Sequence, residues 1–388
     1  MEIFLVFLRL GLTCFGGPVA HFVIFRREFV QRRNWLDDRQ FGQLLTLAQA
    51  LPGPGSSQLG FVIGLLRGGW PGALAAFAGF TLPSALLLLG FAAALPLLSG
   101  PASHAALHGL KIVALSVVAF GLVGMIRSLC PDTTRRAIAA TGIVLALSIG
   151  HAWVQLLVVA LGATAGAVLC RSVRPGPSGA FTLRYGRRTA GMLLLVFLLL
   201  LIGLPAGAAL SDGPIRYADA FFRTGALAFG GGHVVLPLLQ DAVVKPGWIT
   251  AADFLAGYGA AQAVPGPMFA LSAYLGARLP GTGGGIAGAS IALVATFLPG
   301  FLLIAGALPF WRDLAAHPVA ARAIAGTSAA VVGLLAAALY DPLWVSTVHA
   351  PADVVIAAAG CLVLARWRAS ALAVVLLCVA ASLAISRF

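Results

Sequence analysis

The chain has 388 residues, of which 60% are hydrophobic and only 10% are charged, and its mean hydropathy is +0.99. Because a soluble domain carries about a quarter charged residues, this composition excludes an ordinary soluble protein and predicts an integral membrane protein. The formal charge of +13 comes from 25 basic and 12 acidic residues, and most of the basic residues are arginines in short loops. Such arginines set membrane topology, and without an aromatic–basic platform in the sequence we expect no nucleic-acid partner.

Thirteen apolar stretches follow one another, and their lengths predict helices rather than the strands of a membrane barrel. They lie near residues 3–22, 41–65, 71–98, 107–129, 136–150, 152–170, 190–210, 219–240, 254–277, 284–310, 321–339, 352–366 and 371–386. Several can cross about 30 Å of hydrocarbon, whereas those at 136–150 and 352–366 are marginal. No basic segment or cleavage site marks a removable signal peptide at the N-terminus. The predicted fold class is all-α, in a polytopic integral membrane protein.

A glycine-rich break interrupts the first stretch. Its residues are Phe15, Gly16, Gly17, Pro18 and, one turn later, His21. Neighbouring glycines let a ligand approach the backbone closely, although in a membrane helix they also serve as packing notches. Arg9 precedes the break by about one and a half turns. An arginine in an apolar segment costs at least about 2.5–3.5 kcal/mol unless it is paired or hydrated, so Arg9 either attracts an oxyanion or extends to the membrane interface.

Proline and glycine break the second stretch. Pro52 and Pro54 each remove a backbone donor, and Gly53 between them permits a turn. In hydrocarbon such a break is tolerated only where it lines a cavity, although a proline can also simply kink a helix. The helix that restarts after Pro54 presents free N–H groups and a positive dipole end, which suit an anion. Polar side chains flank the break at Gln49, Ser56, Ser57 and Gln58.

The sequence contains this arrangement twice. The second copy, 213 to 216 residues downstream, comprises Arg223, Phe229, Gly230, Gly231, Gly232, His233, Gln262, Pro265, Gly266 and Pro267. The pair Leu298-Pro299 likewise repeats Leu82-Pro83. A nearly constant offset over this length indicates duplication rather than chance. Because apolar residues follow Pro267 where polar residues follow Pro54, we expect an asymmetric site to which the first repeat contributes more polar groups.

The domain organisation follows from the duplication. We predict a first repeat at residues 1–170, an Arg-rich linker with one linking helix at 171–218, and a second repeat at 219–388. Each repeat holds six apolar stretches and returns the chain to its starting side, after which the linking helix carries it across. The second repeat should therefore be inverted relative to the first, which is a recurring transporter design.

The arginines support this topology with one exception. The linker is Arg-rich and is assigned to the cytoplasm with the N-terminus, whereas residues 340–351 contain no Lys or Arg and are assigned to the outside. The Arg-rich loop at 26–39 would lie outside if the first stretch crossed fully. It stays inside if the broken stretches are re-entrant helical hairpins, which we favour over full but broken spans. The predicted hairpins pair residues 1–14 with 19–33 and 37–50 with 55–66, and recur at 219–245 and 250–279.

The remaining polar side chains favour an anion and no enzyme. Among the 12 carboxylates only Asp219 lies at the edge of a key stretch, whereas a cation-coupled carrier usually buries Asp or Glu. His21 and His233 could carry protons, but such residues more often pack or donate hydrogen bonds. No Ser–His–Asp set converges on the repeats, and the five scattered cysteines lack metal-ligand spacing. We expect no enzyme, metal site or cofactor.

Taken together, these motifs resemble the chromate ion transporter family in its long, two-repeat form. The resemblance covers nearly the whole chain and is weakest at residues 100–215 and after 315. It implies a bacterial inner-membrane protein that moves chromate, commonly outward as resistance, with sulfate as the isosteric physiological anion; a homo-oligomer is possible. The residues predicted to bind the oxyanion are Arg9, Phe15, Gly16, Gly17, Pro18, His21, Gln49, Pro52, Gly53, Pro54, Ser56, Ser57, Arg223, Gly230, Gly231, Gly232, His233, Gln262, Pro265, Gly266 and Pro267.

Two other functions stay open at this point. A transporter or channel for another small anion would show flux without any effect of chromate. A membrane scaffold or sensor that transports nothing would need a soluble partner-binding region, and the longest polar stretch is only 171–189.

Overall fold

The protein is all-α throughout the described part of the chain, which confirms the predicted fold class. The computed structural model describes residues 1–15, 17–97, 101–149, 153–173, 181, 183–210, 213–228, 235–311, 317–367 and 371–385. Within them, the helices are α1 Glu2–Thr13, α2 Gly17–Arg26, α3 Asp38–Ala50, α4 Gly55–Ala94, α5 Pro101–Leu129, α6 Thr133–Ile149, α7 Trp153–Leu169, α8 Arg187–Leu210, α9 Pro214–Leu227, α10 Val235–Val243, α11 Ala251–Ala263, α12 Leu271–Ala277, α13 Gly285–Ala307, α14 Pro318–Ala338, α15 Pro351–Trp367 and α16 Ala371–Ile385. Short π-helical turns extend α2 over Arg27–Arg32 and α14 over Leu339–Trp344.

Five helical segments of the described chain are long and apolar enough to cross a membrane. They are Gly55–Leu97, Ser103–Leu129, Arg187–Leu210, Gly285–Phe310 and Pro318–Asp341. The long helix α4 is kinked, because Gly68 and Gly69 have non-helical backbone angles. Its two segments correspond to α12 and α13 of the second repeat, which residues 278–284 separate. The longer connection in the second repeat explains why the offset between the repeats rises from 213 to 216.

The first repeat begins with two helical hairpins. In the first hairpin, Arg33 donates to the Glu2 carboxylate at 3.2 Å, so the end of the return limb lies beside the start of α1. The Phe7 and Phe29 rings stack at 5.1 Å between the limbs. In the second hairpin, the Arg67 guanidinium lies 5.3 Å from the Trp35 ring centroid. Because α1 has 12 residues and rises only about 18 Å, these limbs are too short to cross the membrane alone.

The second repeat contains the same two hairpins. The rings of Tyr217 and Trp248 meet edge to face at 4.7 Å, which joins the outer ends of the α9–α10 hairpin. Arg278 donates to the Asp253 carboxylate at 3.0 Å, which joins the outer ends of the α11–α12 hairpin. The chain therefore forms a helical hairpin at each broken stretch, whereas the membrane face from which each hairpin enters stays a prediction.

The two repeats are inverted with respect to each other. The second segment of α4 and the helix α13 are equivalent, since each carries a Leu-Pro pair, and they pack antiparallel. Phe77 contacts the rings of Phe297 and Phe301 at 5.1 and 5.0 Å, and further along α4 Ala85 clusters with Ala289, nearer the start of α13. Equivalent helices that run antiparallel are related by a two-fold axis perpendicular to them, so the predicted inversion is confirmed.

The outer helices exchange partners between the repeats. Helix α5 packs on α15 and α16 of the second repeat, and α14 packs on α6 and α7 of the first. Ser382 on α16 donates to the Ala105 carbonyl on α5 at 2.7 Å. At Gly326 on α14, an added Cβ would lie 2.1 Å from the Gly162 carbonyl oxygen and 2.4 Å from the Gly166 Cα of α7. Glycines thus permit the helix backbones to approach closely. Such packing matters in a membrane, because lipid provides no hydrophobic driving force for helix association.

Candidate functional site

The two Pro-Gly-Pro turns lie where the repeats meet. The Gly53 N–H donates to the Ala228 carbonyl at 2.7 Å, and the Gly266 N–H donates to the Cys14 carbonyl at 2.8 Å. Cys14 and Ala228 occupy equivalent positions just before the glycine motifs of the first and second repeats. Each Pro-Gly-Pro turn therefore contacts the start of the glycine motif in the other repeat, in a reciprocal pair of hydrogen bonds.

Glycine is required at the centre of both turns. Gly53 has a φ of +127° and Gly266 has a φ of +105°, which other L-residues rarely adopt. A Cβ on Gly53 would also lie 2.9 Å from the Cα of Gly300, and one on Gly266 would lie 2.9 Å from the Ser84 Oγ. Both turns thus pack directly on the opposite repeat.

The residues after the kink prolines also belong to this site. Ser84 follows Pro83 on α4, and Gly300 follows Pro299 on α13. We used these prolines only as markers of the duplication, and our sequence reasoning missed their place in the site. The Leu-Pro pair in each repeat was the available signal, because a proline inside a membrane helix frees a carbonyl and bends the helix.

Gln58 connects the first Pro-Gly-Pro turn to the second repeat. Its Nε2 donates to the Pro52 carbonyl at 2.9 Å and to the Gly300 carbonyl at 3.0 Å. Its Oε1 is buried, as are the Ser57 Oγ and the Thr81 Oγ1, and none of these atoms has a hydrogen-bond partner among the described residues. Leaving a buried polar group unsatisfied costs about 1–3 kcal/mol. The Ser57 and Thr81 hydroxyls can therefore donate to a polar ligand, whereas the Gln58 Oε1 can only accept.

The first turn of α4 also presents backbone donors beside the Ser57 side chain. The first hydrogen bond of the helix runs from the Gln58 N–H to the Pro54 carbonyl, so the N–H groups of residues 55–57 precede the helical ladder. Ser56 and Ser57 are both buried. In contrast, the N–H groups of Gly53 and Gly266, which we predicted as ligand donors, are occupied by carbonyls in this conformation. Their role as ligand donors stays a prediction, which requires these two hydrogen bonds to open.

His21 lies beside the contact between Cys14 of the first repeat and Gly266 of the second. It is 1% exposed, and its ring meets the Phe80 ring edge to face at 5.3 Å. Neither ring nitrogen makes a hydrogen bond of normal geometry, although the ring lies beside the Cys14 carbonyl that accepts from Gly266. Phe15 is half-buried immediately after Cys14.

The two predicted glutamines are not equivalent. Gln262 is buried, lies with its Nε2 3.7 Å from the Met268 sulfur, and hydrogen-bonds to Tyr258. Gln49 is exposed on the surface of α3. The predicted symmetric role of the two amides is therefore not supported by their positions. Pro54, Pro265 and Pro267 are buried and Pro52 is half-buried.

The two repeat-related arginines differ in their partners. Arg9 lines a cavity of about 340 Å³ together with Arg27, Arg32 and Glu28, and no carboxylate of the described residues pairs with it. Arg223 forms an ion pair with Asp219, which is buried. Asp219, the first residue of the predicted apolar stretch 219–240, is therefore buried inside the fold.

Glu28 stays charged beside the Arg9 cavity. Burial acts to raise the pKa of Glu28, but hydrogen bonds from Arg33 and Arg32 outweigh this effect and lower it. The Arg33 Nε donates at 2.7 Å and the Arg32 guanidinium at 3.1 Å. Because Arg32 and Arg33 are engaged by this carboxylate, Arg9 and Arg27 are the arginines of the cavity lining that have no carboxylate partner among the described residues.

Part of the predicted glycine motifs lies outside the described residues. This applies to Gly16 and to Phe229, Gly230, Gly231, Gly232 and His233. Gly17 and Pro18 begin α2, so the return limb starts two residues earlier than the predicted 19–33. A proline in the first turn of a helix is favourable, since its missing N–H would have no partner there.

Inverted repeats of helical hairpins whose broken tips meet near the centre of the molecule define a class of membrane transporter. The chain belongs to the chromate transporter family, whose model matches residues 1–167 and 215–383.

Three relatives match the chain over most of their own length. A chromate transport protein of Pseudomonas aeruginosa is 29% identical, covering 99% of this chain and 91% of the relative. A probable chromate transport protein of Synechococcus elongatus is 27% identical, covering 86% and 82%. An uncharacterised transporter of Methanocaldococcus jannaschii is 27% identical, covering 87% and 83%. No solved structure matches the chain.

Proposed function

We propose that this protein transports chromate across the bacterial inner membrane by alternating access, with sulfate recognised as an isosteric dianion. The observation that carries the proposal is the reciprocal contact of the two Pro-Gly-Pro turns through Gly53 and Gly266. Family membership and the names of the relatives from Pseudomonas aeruginosa and Synechococcus elongatus support chromate as the substrate.

The anion is held between the hairpin tips, mainly by the first repeat. The donors are the N–H groups of residues 55–57, the Ser57 hydroxyl and the His21 ring, while the Gln58 amide holds the first Pro-Gly-Pro turn in place. An oxyanion with four oxygens needs several such donors, because hydrogen bonds to a charged acceptor must replace its lost hydration. Arg9 contributes positive potential from the adjacent cavity.

Opening the tips exposes two further donors. The hydrogen bonds from Gly53 to Ala228 and from Gly266 to Cys14 close the site in this conformation. Each such bond contributes about 0.5–1.5 kcal/mol, so an approaching anion can displace the carbonyls at modest cost. The halves at residues 1–170 and 219–388 then move around the bound anion, with 171–218 as their linker.

The membrane potential favours export. Moving one charge across 100 mV is worth about 2.3 kcal/mol, so a dianion leaving an inside-negative cell gains about 4.6 kcal/mol. We place the N-terminus in the cytoplasm, because the Arg-rich linker at 171–188 belongs inside by its charge. Outward transport of chromate would confer resistance.

A transporter of another small anion is the second candidate. It is favoured by the donor set itself, since N–H groups and a hydroxyl recognise a tetrahedral oxyanion without distinguishing its central atom. Competition of chromate flux by sulfate, molybdate and phosphate in proteoliposomes separates the two candidates.

The test is the replacement of Gly53 by valine, with Gly42→Val as the matched control. A β-branched residue at this positive φ stores about 1–3 kcal/mol of strain and contacts Gly300 across the repeats. Gly42 lies on the exposed face of α3 with no atom near its added Cβ. Chromate flux into proteoliposomes should fall about tenfold or more in Gly53→Val and remain in Gly42→Val. Full flux in Gly53→Val at equal protein level would overturn the site.

A further inference from the structure

The charge environment of the repeat-related arginines is asymmetric. Four residues before Arg9 the first repeat has Leu5, whereas four residues before Arg223 the second repeat has Asp219. On a helix this spacing brings the two side chains together, and the Asp219 Oδ2 accepts from the Arg223 guanidinium. The first repeat therefore has an uncompensated arginine at this position, and the second repeat has a neutralised one.

The second oxygen of Asp219 has no donor. Asp219 is 3% exposed, and its Oδ1 is buried without a hydrogen-bond partner among the described residues. A charged carboxylate oxygen in that position loses its hydration without replacement, which is costly. A proton on the carboxylate removes this cost at the expense of weakening the pair with Arg223.

The neighbouring elements bring few charges toward Asp219. Helix α13 has no titratable side chain, and α8 has only Arg187 and Arg188 in its first turn. On the return limb of the hairpin Asp241 pairs with Lys245, and Gln240 is neutral. On α9 itself the other titratable groups are Arg216, Tyr217 and Arg223. The partner that responds most directly to a proton on Asp219 is therefore Arg223.

We propose that Asp219 is the proton-binding site that couples proton uptake to anion binding. With Asp219 ionised, its charge cancels that of Arg223. When a proton from water binds the carboxylate, Arg223 becomes an uncompensated cation about one and a half turns before the second glycine motif, and the dianion is attracted there. Proton and anion then strengthen each other's binding by the same factor. This inference rests on the proposed function, since it names the regulation of the same site.

The experiment measures protons directly on the purified full-length protein in detergent. Chromate is added in weakly buffered solution between about pH 5 and pH 8, and proton uptake and chromate affinity are recorded. Chromate itself takes up a proton in this range, so the isosteric variant Asp219→Asn provides the reference trace. The matched control is Asp241→Asn, which removes the other carboxylate of the same hairpin.

Wild-type protein should take up more protons than Asp219→Asn when chromate binds. Its affinity should weaken up to about tenfold per pH unit above the titration of Asp219, while Asp219→Asn keeps only the pH dependence that the protonation of chromate itself imposes and Asp241→Asn behaves as wild type. If Asp219→Asn does not fold, Asp219→Leu replaces it, because Leu5 occupies the equivalent position in the first repeat.

Equal proton uptake in wild type and the Asp219 variants would overturn the coupling role and leave the proposed function intact. Equal pH dependence of chromate affinity in these proteins would do the same. Absence of any chromate binding or flux by the wild type would overturn the proposed function instead. The two failures are therefore distinguishable.

Discussion

At the residue scale, Gln58 decides how the first Pro-Gly-Pro turn is held. One amide nitrogen donates to a carbonyl of its own turn and to the Gly300 carbonyl, 242 residues away in sequence. A polar residue at the start of a helix is a recognisable local signal, and the sequence did predict polar groups here. The partner could not be predicted, because nothing local in the sequence indicates which distant carbonyl is within reach.

We expect Gln58→Leu to destabilise the protein. The equivalent residue of the second repeat is Leu271, so a leucine is compatible with this kind of helix, but the Pro52 and Gly300 carbonyls would lose their donor. The expected loss is about 1–3 kcal/mol in the free energy of unfolding, measured by denaturant unfolding in detergent. The control is Gln49→Leu, at an exposed position. It should change the free energy of unfolding by less than about 0.5 kcal/mol. Equal effects of both changes would contradict this assignment.

The contrast between Gln49 and Gln262 shows the limit of repeat symmetry. The motif around the two residues is the same, so the sequence predicted the same role for both. However, the groups that engage Gln262 are Tyr258 and Met268, and their equivalents in the first repeat are Leu45 and Gly55. Neither offers a side-chain hydrogen bond, which removes the reason for Gln49 to turn inward.

At the element scale, the hairpins were predictable because charge and length acted together. Arginines at 26–39 conflicted with a full first span, and prolines or glycines interrupted each stretch where a reversal was needed. The contacts Glu2–Arg33 and Asp253–Arg278 join the outer ends of two of these hairpins. The exchange of α5 and α14 between the repeats was not predictable, since an all-round apolar helix shows no preferred face.

Gly326→Leu tests this exchange of helices. Its side chain would meet the Gly162 carbonyl and the Gly166 backbone at distances that α14 and α7 can accommodate only by separating. Overpacking of this kind costs about 1–3 kcal/mol, so thermal unfolding in detergent should shift to lower temperature. Gly124→Leu on α5 meets no atom within contact distance and lies on an exposed face. Its transition should stay close to that of the wild type; a similar shift in both variants would argue against tight α7–α14 packing.

At the scale of the whole molecule, the inversion of the repeats specifies which loops share a side of the membrane. The hairpins return the chain to its starting side, so the loop at 33–39 should share a side with the linker at 181–186. The connection before α15 at 348–350 should lie on the opposite side. The arginines of the loop at 26–39 and of the linker agree with this arrangement, as does the absence of Lys and Arg from residues 340–351.

Single cysteines test this topology in intact cells. Arg39→Cys and Arg184→Cys should react with a membrane-impermeant maleimide only after permeabilisation, and Ala350→Cys should react from outside. All three positions are exposed, whereas four of the five native cysteines are buried. The unsubstituted protein gives the background. Labelling of Arg39→Cys from outside would mean that the first stretch crosses the membrane fully, against the hairpin.

The exchanged packing of the outer helices also sets an order of events at the ribosome. Ser116 on α5 donates to the Ala357 carbonyl, and 241 residues separate the two. At about 5–20 residues per second, α5 waits roughly 10–50 s for that partner to be synthesised. During this interval a newly inserted α5 has lipid or the translocation machinery against the face that α15 and α16 later cover. Maturation of the first half is therefore delayed until the C-terminal helices emerge.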